Sequence, residues 1–193
     1  MPPLRPAPIV RAMRGPLLSG ALGSPTTLAR VCGLVREHAP VVVLSTLWLA
    51  ETLAPEMPIL ALVEEEKRGA ALRAHKRAHK LGLPLAVVMA ASDLPLLPGS
   101  VGAVLVDSLV DIEDPDAAAD LLLAVLPTLR PDGMVVSLDA TKNPELESRV
   151  SAMFLAASLT QISQIRPRDG ALITVARAPH AAVTAARSRA LPA

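Results

Sequence analysis

From Val41 onward the sequence alternates short apolar runs, typical of buried strands, with longer stretches of helical periodicity. This alternation predicts an α/β fold with a doubly wound, mostly parallel sheet, right-handed crossovers and helices on both faces. Most of these runs show no alternation with polar residues, so as strands they would be apolar on both faces, which is typical of central parallel strands. We predict strands over 41–46, 59–63, 85–89, 102–107, 133–138 and 171–176. Helices are predicted near 49–54, 65–81, 115–129 and 145–158.

The last predicted strand, 171–176, is expected to be an antiparallel strand at one edge of the sheet. A weaker strand over 160–166 would pair with it through a turn at Arg168-Asp169-Gly170. Before the sheet, Ser24 as N-cap and Pro25 as first helical residue begin a helix that should end before Pro40.

Three parts of the chain follow from this pattern. A Pro-rich basic arm and helix are expected over 1–40, the α/β domain over 41–178, and an Ala-rich basic tail over 179–193. The arm and the tail add apolar and basic surface beyond the sheet, so both are candidate docking segments for a protein partner.

The composition narrows the classes of function. The net charge is only +1, so the whole chain exerts no strong attraction on nucleic acid or on an anionic membrane. Trp48 and Phe154 are the only aromatic residues, which argues against stacking of bases or sugars. The longest apolar run, 41–50, is shorter than the roughly 18 to 20 residues of a membrane span. Self-association or a protein partner is therefore expected instead.

The N-terminal segment gives information on the cellular compartment of the protein. It contains several arginines and no acidic residue before Glu37. We interpret it as the basic extension of a bacterial cytoplasmic protein; the alternative is a transit peptide, which would place the protein in an organellar matrix. The single cysteine, Cys32, cannot form an internal disulfide, which fits a reducing compartment.

Four stretches of the sequence resemble one known family. In order and spacing these stretches are similar to parts of the class I S-adenosylmethionine-dependent methyltransferases. The matching parts of that family are, in order, the second strand with its acidic tip, the segment that leads into the fourth strand, the turn before the fifth strand, and the closing strand. The four stretches are ILALVEEEK (59–67), SDLPLLPGSVGAVLV (92–106), LRPDG (129–133) and ALITVARA (171–178). The resemblance covers 41–178, about seven-tenths of the chain, and implies the Rossmann-like fold of that family.

The sequence departs from the family where the family binds its cofactor. The family's first-strand loop is an acid followed by spaced glycines, because a side chain there keeps the backbone from approaching the cofactor. The aligned loop here, Ser45 to Ala50, has neither glycine nor acid, and Trp48 stands where the methionine moiety would lie.

Two further polar groups of the family are absent from the aligned positions. Ala91 (or Ala90) stands where the family has an Asp for the adenine amino group, and Gly102 aligns with the family's Asp entering the fourth strand. Two lost charged hydrogen bonds, at roughly 1.5 to 3 kcal/mol each, would weaken cofactor binding about a hundredfold or more. The ribose-binding acid remains as Glu64, or as Glu65 if the strand is one residue longer.

We therefore predict a degenerate cofactor pocket without catalytic residues and without a bound cofactor. Its vestigial positions would be Ser45, Trp48, Glu64, Ala91 and Asp107. The protein would act as a scaffold or regulatory subunit through protein–protein contacts. The main alternative is an active S-adenosylmethionine-dependent methyltransferase with an atypical cofactor loop, in which Glu64 holds the ribose and the acidic stretch from Asp107 faces the substrate. A small-ligand sensor with a reshaped pocket is a third alternative.

Other candidate sites have simpler interpretations. His75 and His79 are four residues apart on a predicted helix, but the surrounding cations would repel a metal, so no metal site is predicted. Cys32 is interpreted as a small buried residue. Six cations of the predicted helix over 65–81 form a surface that we call the basic helix surface: Lys67, Arg68, Arg73, Lys76, Arg77 and Lys80. We interpret this surface as solvated. The "acidic edge" consists of Asp107, Asp111, Glu113, Asp114, Asp116 and Asp120. These two surfaces could pair head to tail between copies of the chain.

Overall fold

One seven-stranded sheet organises the chain. The computed structural model describes residues 24–44, 47–64, 76–80, 82, 84–88, 96–107, 109, 115–141, 143–167 and 171–178. The strands are β1 (Val41–Leu44), β2 (Ile59–Glu64), β3 (Leu85–Val88), β4 (Val101–Asp107), β5 (Leu129–Asp139), β6 (Thr160–Ile165) and β7 (Leu172–Arg177). Their order across the sheet is β3-β2-β1-β4-β5-β7-β6.

The helices alternate with these strands. They are α1 (Pro25–Val35), α2 (Leu47–Leu53), α3 (Pro115–Val125) and α4 (Pro144–Ala156), with short 3-10 helices at Arg36–His38 and Leu126–Thr128. Residues 76–80 are helical as well. Within the described ranges, no helix combines the length and the apolar character that crossing a membrane requires.

The pairing confirms the predicted fold class. β1 to β5 are parallel to one another, whereas β7 runs antiparallel to both β5 and β6. The weak strand predicted over 160–166 exists and pairs with β7 as expected. It is β6 that forms the edge of the sheet, and β7 lies one strand further in. The predicted turn at residues 168–170 lies outside the described residues.

Strict alternation of side chains divides the core into two layers. Val42, Leu44, Val104 and Val106 point to the face covered by α3 and α4. Their neighbours in sequence, such as Val43 and Leu105, point to the face covered by α1, α2 and the buried Ala78 of residues 76–80. Because successive side chains of a strand point to opposite faces, a strand covered on both faces must be apolar throughout. This is the pattern from which the strands were predicted.

Helix α1 begins as its sequence predicts. The Ser24 hydroxyl accepts a hydrogen bond from the Thr27 amide at 3.2 Å, and Pro25 takes the first helical position. Val31 and Val35 are fully buried against the sheet. The division of the chain at residue 40 stays a prediction, as does the nature of segments 1–23 and 179–193, which lie outside the described residues.

Several predicted boundaries are wrong by a few residues. Helix α3 ends at Val125 rather than near 129, because Pro127 follows and a 3-10 turn leads directly into β5. β5 begins at Leu129 rather than 133: Leu129 pairs with Val101, and the LRPDG stretch, predicted as a turn, is an irregular start of the strand. Of the helix predicted over 65–81, only 76–80 is described. Gly82, at φ +63°, ends it as expected.

Gly102, the second residue of β4, is at the most crowded backbone position described. Its amide donates to the carbonyl of Pro40 at 3.0 Å, which ties β4 to the segment that enters β1. A Cβ atom at this position would overlap the backbone carbonyl of His38 and lie 2.5 Å from Nη2 of Arg130. The backbone of residues 38–40 can approach β4 only because residue 102 has no side chain.

We expect Gly102→Ala to destabilise the fold by about 1 to 3 kcal/mol or more, since the clash is with backbone rather than with a flexible side chain. Gly33→Ala is the matched control. Gly33 is an exposed residue within α1 and has no atom within 4 Å of the added methyl group. This substitution should stabilise the protein by about 0.5 to 1 kcal/mol. Urea unfolding of both variants measures the difference, and equal stabilities would refute the close approach.

Candidate functional site

The sheet has a topological switch point between β1 and β4. From β1 the chain winds outward through β2 and β3, and after β3 it returns to β4 on the other side of β1 and continues to β5. Ligands of open α/β sheets bind at the carboxyl ends of the strands at such a point. The place to look for a site is therefore the carboxyl edge of the sheet around Leu44 of β1 and Asp107 of β4.

The connection that follows β1 is short. β1 ends at Leu44 and helix α2 begins at Leu47, so two residues join them. The prediction of a loop from Ser45 to Ala50 is wrong from Leu47 onward. The physical reason is that Leu49, Ala50 and Leu53 are fully buried against the sheet, and this packing holds the sequence LWLAETL as a helix.

The described residues beside this connection are apolar and enclosed. Leu44 is fully buried, and so is its partner Val106 in β4. Leu109, just beyond β4, is fully buried as well. Hydrocarbon therefore lines the end of β1 on its β4 side, and these three residues offer no polar group that could bind a cofactor there.

Two of the predicted site residues lie together at the carboxyl edge. Glu64 is the last residue of β2, and Asp107 is the last residue of β4. Leu44 pairs with Leu62 on one side and with Val106 on the other. The backbone of Glu64 thus extends two residues beyond β1, and that of Asp107 extends one. With β1 between them, the two strand ends are about 10 Å apart.

The other three predicted positions are described in part or not at all. Trp48 is the second residue of α2, so it belongs to a helix rather than to a loop; its side chain lies outside the described part of the structure. Ser45 and Ala91 lie outside the described residues altogether.

Gly102 does not belong to this site. It is the second residue of β4 and contacts His38 and Pro40, which places it at the amino edge of the sheet. The ligand-binding edge lies at the far end of the same strand. The expectation that Gly102 replaces a cofactor-binding acid is therefore wrong, and this glycine is explained by the close approach of backbone described above.

One polar residue at the carboxyl edge was not predicted. Asp139 ends β5 and is 0% exposed, and the Ser137 hydroxyl donates a hydrogen bond to its Oδ2 at 2.5 Å. The signal in the sequence MVVSLD is that Ser137 and Asp139, two residues apart, are polar and would lie on the same face of an otherwise apolar strand. With Glu64 and Asp107, three strands of the sheet end in an acidic residue.

The basic helix surface is partly engaged within the molecule. Arg77 donates from Nη2 to Oε2 of Glu51 in α2 at 2.6 Å, while Lys76, His79 and Lys80 are exposed. His75, the predicted partner of His79, lies outside the described residues. No three His, Cys, Asp or Glu side chains converge on a metal position in the ranges that can be described.

Cys32 has no features of a nucleophile. Burial raises the pKa of its thiol, the carboxylate of Glu56 raises it further, and Arg36 opposes this only in part. A raised thiol pKa leaves little reactive thiolate at neutral pH. Cys32 was interpreted as a small buried residue; it is only half-buried, and it packs against the core layer under α1.

Two clefts in the described part of the molecule lie away from the carboxyl edge. A cleft of about 520 Å³ lies between α1 and α2, beside Cys32. A second cleft, of about 560 Å³, lies at the amino ends of the strands, where Pro40, Pro58 and Pro84 precede β1, β2 and β3. Its lining is mainly apolar, and Glu51 contributes its one carboxylate.

Comparison with known proteins identifies the fold. No family model matches the sequence, and no curated protein is significantly similar to it. Solved structures do match. A candidate O-methyltransferase of Nostoc punctiforme superposes with a TM-score of 0.61 at 16% identity, over 83% of this chain and 59% of that one. A candidate rRNA methylase of Clostridium thermocellum gives a TM-score of 0.59 at 12% identity, over 81% and 97%.

A third similar structure is the 16S rRNA N2 G1207 methyltransferase of Thermus thermophilus, which was solved in complex with AdoMet and guanosine. Its TM-score is 0.56 at 16% identity, and the match covers 89% of this chain and 41% of that one. The chain thus spans less than half of that enzyme. The chain has the class I methyltransferase fold, and identities this low establish the fold alone.

The buried pair at the end of β5 can be tested directly. We expect Ser137→Ala to cost about 1 to 3 kcal/mol of unfolding free energy, because it removes a donor from an enclosed carboxylate. Ser163→Ala in the exposed edge strand β6 is the matched control and should change stability by less than about 0.5 kcal/mol. Chemical denaturation of both variants measures the difference. A loss for Ser137→Ala no larger than that of the control would contradict the hydrogen bond.

Proposed function

We propose that this protein keeps the class I methyltransferase fold without using S-adenosylmethionine, and that it acts as a scaffold or regulatory subunit through protein–protein contacts. The observation that carries this proposal is the connection between Leu44 and Leu47. It is two residues long, contains no glycine and no acid, and leads directly into a helix packed on the sheet.

The physical support comes from what a cofactor needs at this position. A ligand that lies against backbone at the switch point requires residues without side chains, and glycine is the residue that allows it. Here the sequence has Ser45 and Thr46, which carry side chains, and Leu49 and Ala50 of α2 are fully buried in the core. A charged hydrogen bond that is lost from such a site costs roughly 1.5 to 3 kcal/mol, or about a tenfold to hundredfold weaker binding.

The surface offers positions for protein contacts. Leu155 of α4 is 63% exposed and Leu123 of α3 is 44% exposed, and these two helices pack side by side on the same face of the sheet. Leu97, before β4, is 77% exposed. A protein partner that covered the outer side of α3 and α4 would bury Leu123 and Leu155, which gives such a contact a hydrophobic contribution.

A second candidate function is an active methyltransferase with an atypical cofactor loop. The observation in its favour is the pair of acidic strand ends Glu64 and Asp107 at the switch point. An acid at the tip of β2 suits the hydroxyls of a ribose, and the acid at the tip of β4 would face a substrate that lies across the edge. Asp139 at the tip of β5 is buried and takes no part in this contact.

Titration with S-adenosylmethionine and S-adenosylhomocysteine separates the two functions. For the scaffold we expect no saturable heat, and no change in Trp48 fluorescence, at ligand concentrations of about 1 mM, where binding would contribute only about 4 kcal/mol. Because Trp48 is the only tryptophan, its emission reports on the start of α2 alone. Micromolar binding that shifts Trp48 emission, and that Glu64→Gln weakens, would establish the methyltransferase alternative.

Self-association through charge can be tested independently of the cofactor. If the basic helix surface pairs with the acidic edge of a second copy, sedimentation at low ionic strength should reveal oligomers that dissociate near 1 M salt, where the screening length falls to about 3 Å. Lys76→Glu combined with Lys80→Glu should abolish association. Arg30→Glu, on the exposed side of α1, is the control and should not. A strict monomer at low salt would exclude this mode of contact.

A further inference from the structure

Two arginines and a histidine from separate elements come together at the amino edge of the sheet. His38 ends the 3-10 helix before β1, Arg130 is the second residue of β5, and Arg177 is the last residue of β7. They are brought together because β7 is antiparallel to β5, so that Arg177 pairs with Met134 near the start of β5. None of the three is used at the carboxyl edge.

The fold places the backbone of His38 and the guanidinium group of Arg130 beside the same point of β4. The space that a side chain of Gly102 would need is taken by the His38 carbonyl oxygen, with Nη2 of Arg130 at 2.5 Å from the same point. Arg130 therefore lies over the backbone of β4, and 33% of its side chain remains exposed. On the other side, Nη1 of Arg177 donates to the carbonyl oxygen of Asp132 at 2.9 Å.

Two nitrogen atoms in this cluster are shielded from solvent without a hydrogen-bond partner. They are Nε of Arg130 and Nδ1 of His38. Buried polar atoms in folded proteins almost always have a partner, so each exception requires an explanation. The nearest acidic group to Arg130 Nε is Oδ1 of Asp132, at 3.7 Å, which is beyond hydrogen-bond distance.

The charges around His38 are of both signs. Arg177 and Arg130 disfavour its protonation, and Asp132 and Glu37 favour it. Burial, the largest influence, lowers the pKa of His38 below its usual value, with the two arginines adding to the shift. In the free protein His38 is thus predominantly neutral at neutral pH, and the two guanidinium groups are the permanent positive charges of the cluster.

We propose that Arg130, Arg177 and His38 form a binding site for a phosphate-type oxyanion at the amino edge of the sheet. An oxyanion accepts hydrogen bonds from several donors at once, and one that takes the place of the Asp132 carboxylate would reach Arg130 Nε and supply its missing partner. His38 can donate from Nδ1 once it is protonated or takes the Nδ1–H tautomer. The Asp132 carboxylate is 68% exposed and makes only a long, solvated ion pair with Arg130, so an anion can displace it.

The same geometry couples anion binding to a proton. An anion beside His38 stabilises the imidazolium, so binding raises the pKa of His38 and proton uptake strengthens binding. Affinity should therefore increase as the pH falls from 8 to about 6, through the histidine range. Phosphate itself takes up a proton in this range and becomes less charged. A site made of arginines alone would therefore bind phosphate more weakly as the pH falls, which is the opposite dependence.

Nitrogen-15 NMR of the imidazole side chains tests the site in the full-length protein. The pKa of His38 is measured in inorganic phosphate and in chloride at equal ionic strength, and His38→Gln identifies its signals among the four histidines. We expect phosphate, at concentrations of about 10 mM, to raise the pKa of His38, while the side-chain signals of exposed His79 should not respond to the change of salt. A pKa of His38 that is the same in both salts would overturn the proposal.

Substitution of the arginines distinguishes a site from general screening. Arg130→Gln and Arg177→Gln should each reduce phosphate affinity at least about tenfold, the effect of losing one charged hydrogen bond. Arg30→Gln on α1 is the matched control and should leave affinity unchanged. An equal loss in the control, or no loss in either site variant, would overturn the proposal. Thermal unfolding of each variant ensures that only folded protein is compared.

The source of the anion is resolved with two probes. Inorganic phosphate tests for the free ion, and phenyl phosphate tests for a phosphate monoester. Binding of either probe that raises the pKa of His38 supports the site and assigns its ligand, and failure of both refutes it. Because the site lies at the opposite edge of the sheet from the switch point, its outcome is independent of titrations with S-adenosylmethionine.

Discussion

The burial of the central strands on both faces is the constraint on which the rest of the molecule depends. β1 and β4 are covered by α3 and α4 on one side and by α1 and α2 on the other, so nearly every side chain of these strands is inside. A parallel strand in this position has few polar choices. Polar groups are therefore confined to the two ends of the strands, and both candidate sites of the protein lie at those ends.

This constraint also explains what the sequence could and could not predict. The apolar runs at 41–44, 59–64 and 101–107 lack a period that would identify them as strands, and they are readable because they are short and rich in β-branched residues. The start of β5 was misjudged because Pro131 and Gly133 are turn residues by composition. Leu129 nevertheless pairs with Val101, and the strand accommodates the irregularity with a shift of register. Tertiary pairing overrides local preference there.

The candidate site was only partly predictable for a different reason. Glu64 and Asp107 could be assigned to strand ends because the ends of apolar runs are visible in sequence. The helix near 49–54 was predicted, but its start at Leu47 was not, since the position of so short a helix is determined by Leu49, Ala50 and Leu53 packing on the sheet. His38, Arg130 and Arg177 are 92 and 47 residues apart along the chain, and only the antiparallel insertion of β7 brings them together.

The edge strand β6 determines how copies of this protein can meet. Its pairing with β7 shifts register between Thr160 and Ser163, and Gln161 adopts a φ of +52°. Most of its side chains are polar and exposed, and the opposite edge strand, β3, has only four residues. Strands from other molecules add to a regular ladder of free backbone groups at the edge of a sheet. In this protein the ladder is interrupted at the β6 edge and short at the β3 edge. Both features disfavour the addition of strands from other copies, so association between copies is expected to use other surfaces than the edges of the sheet.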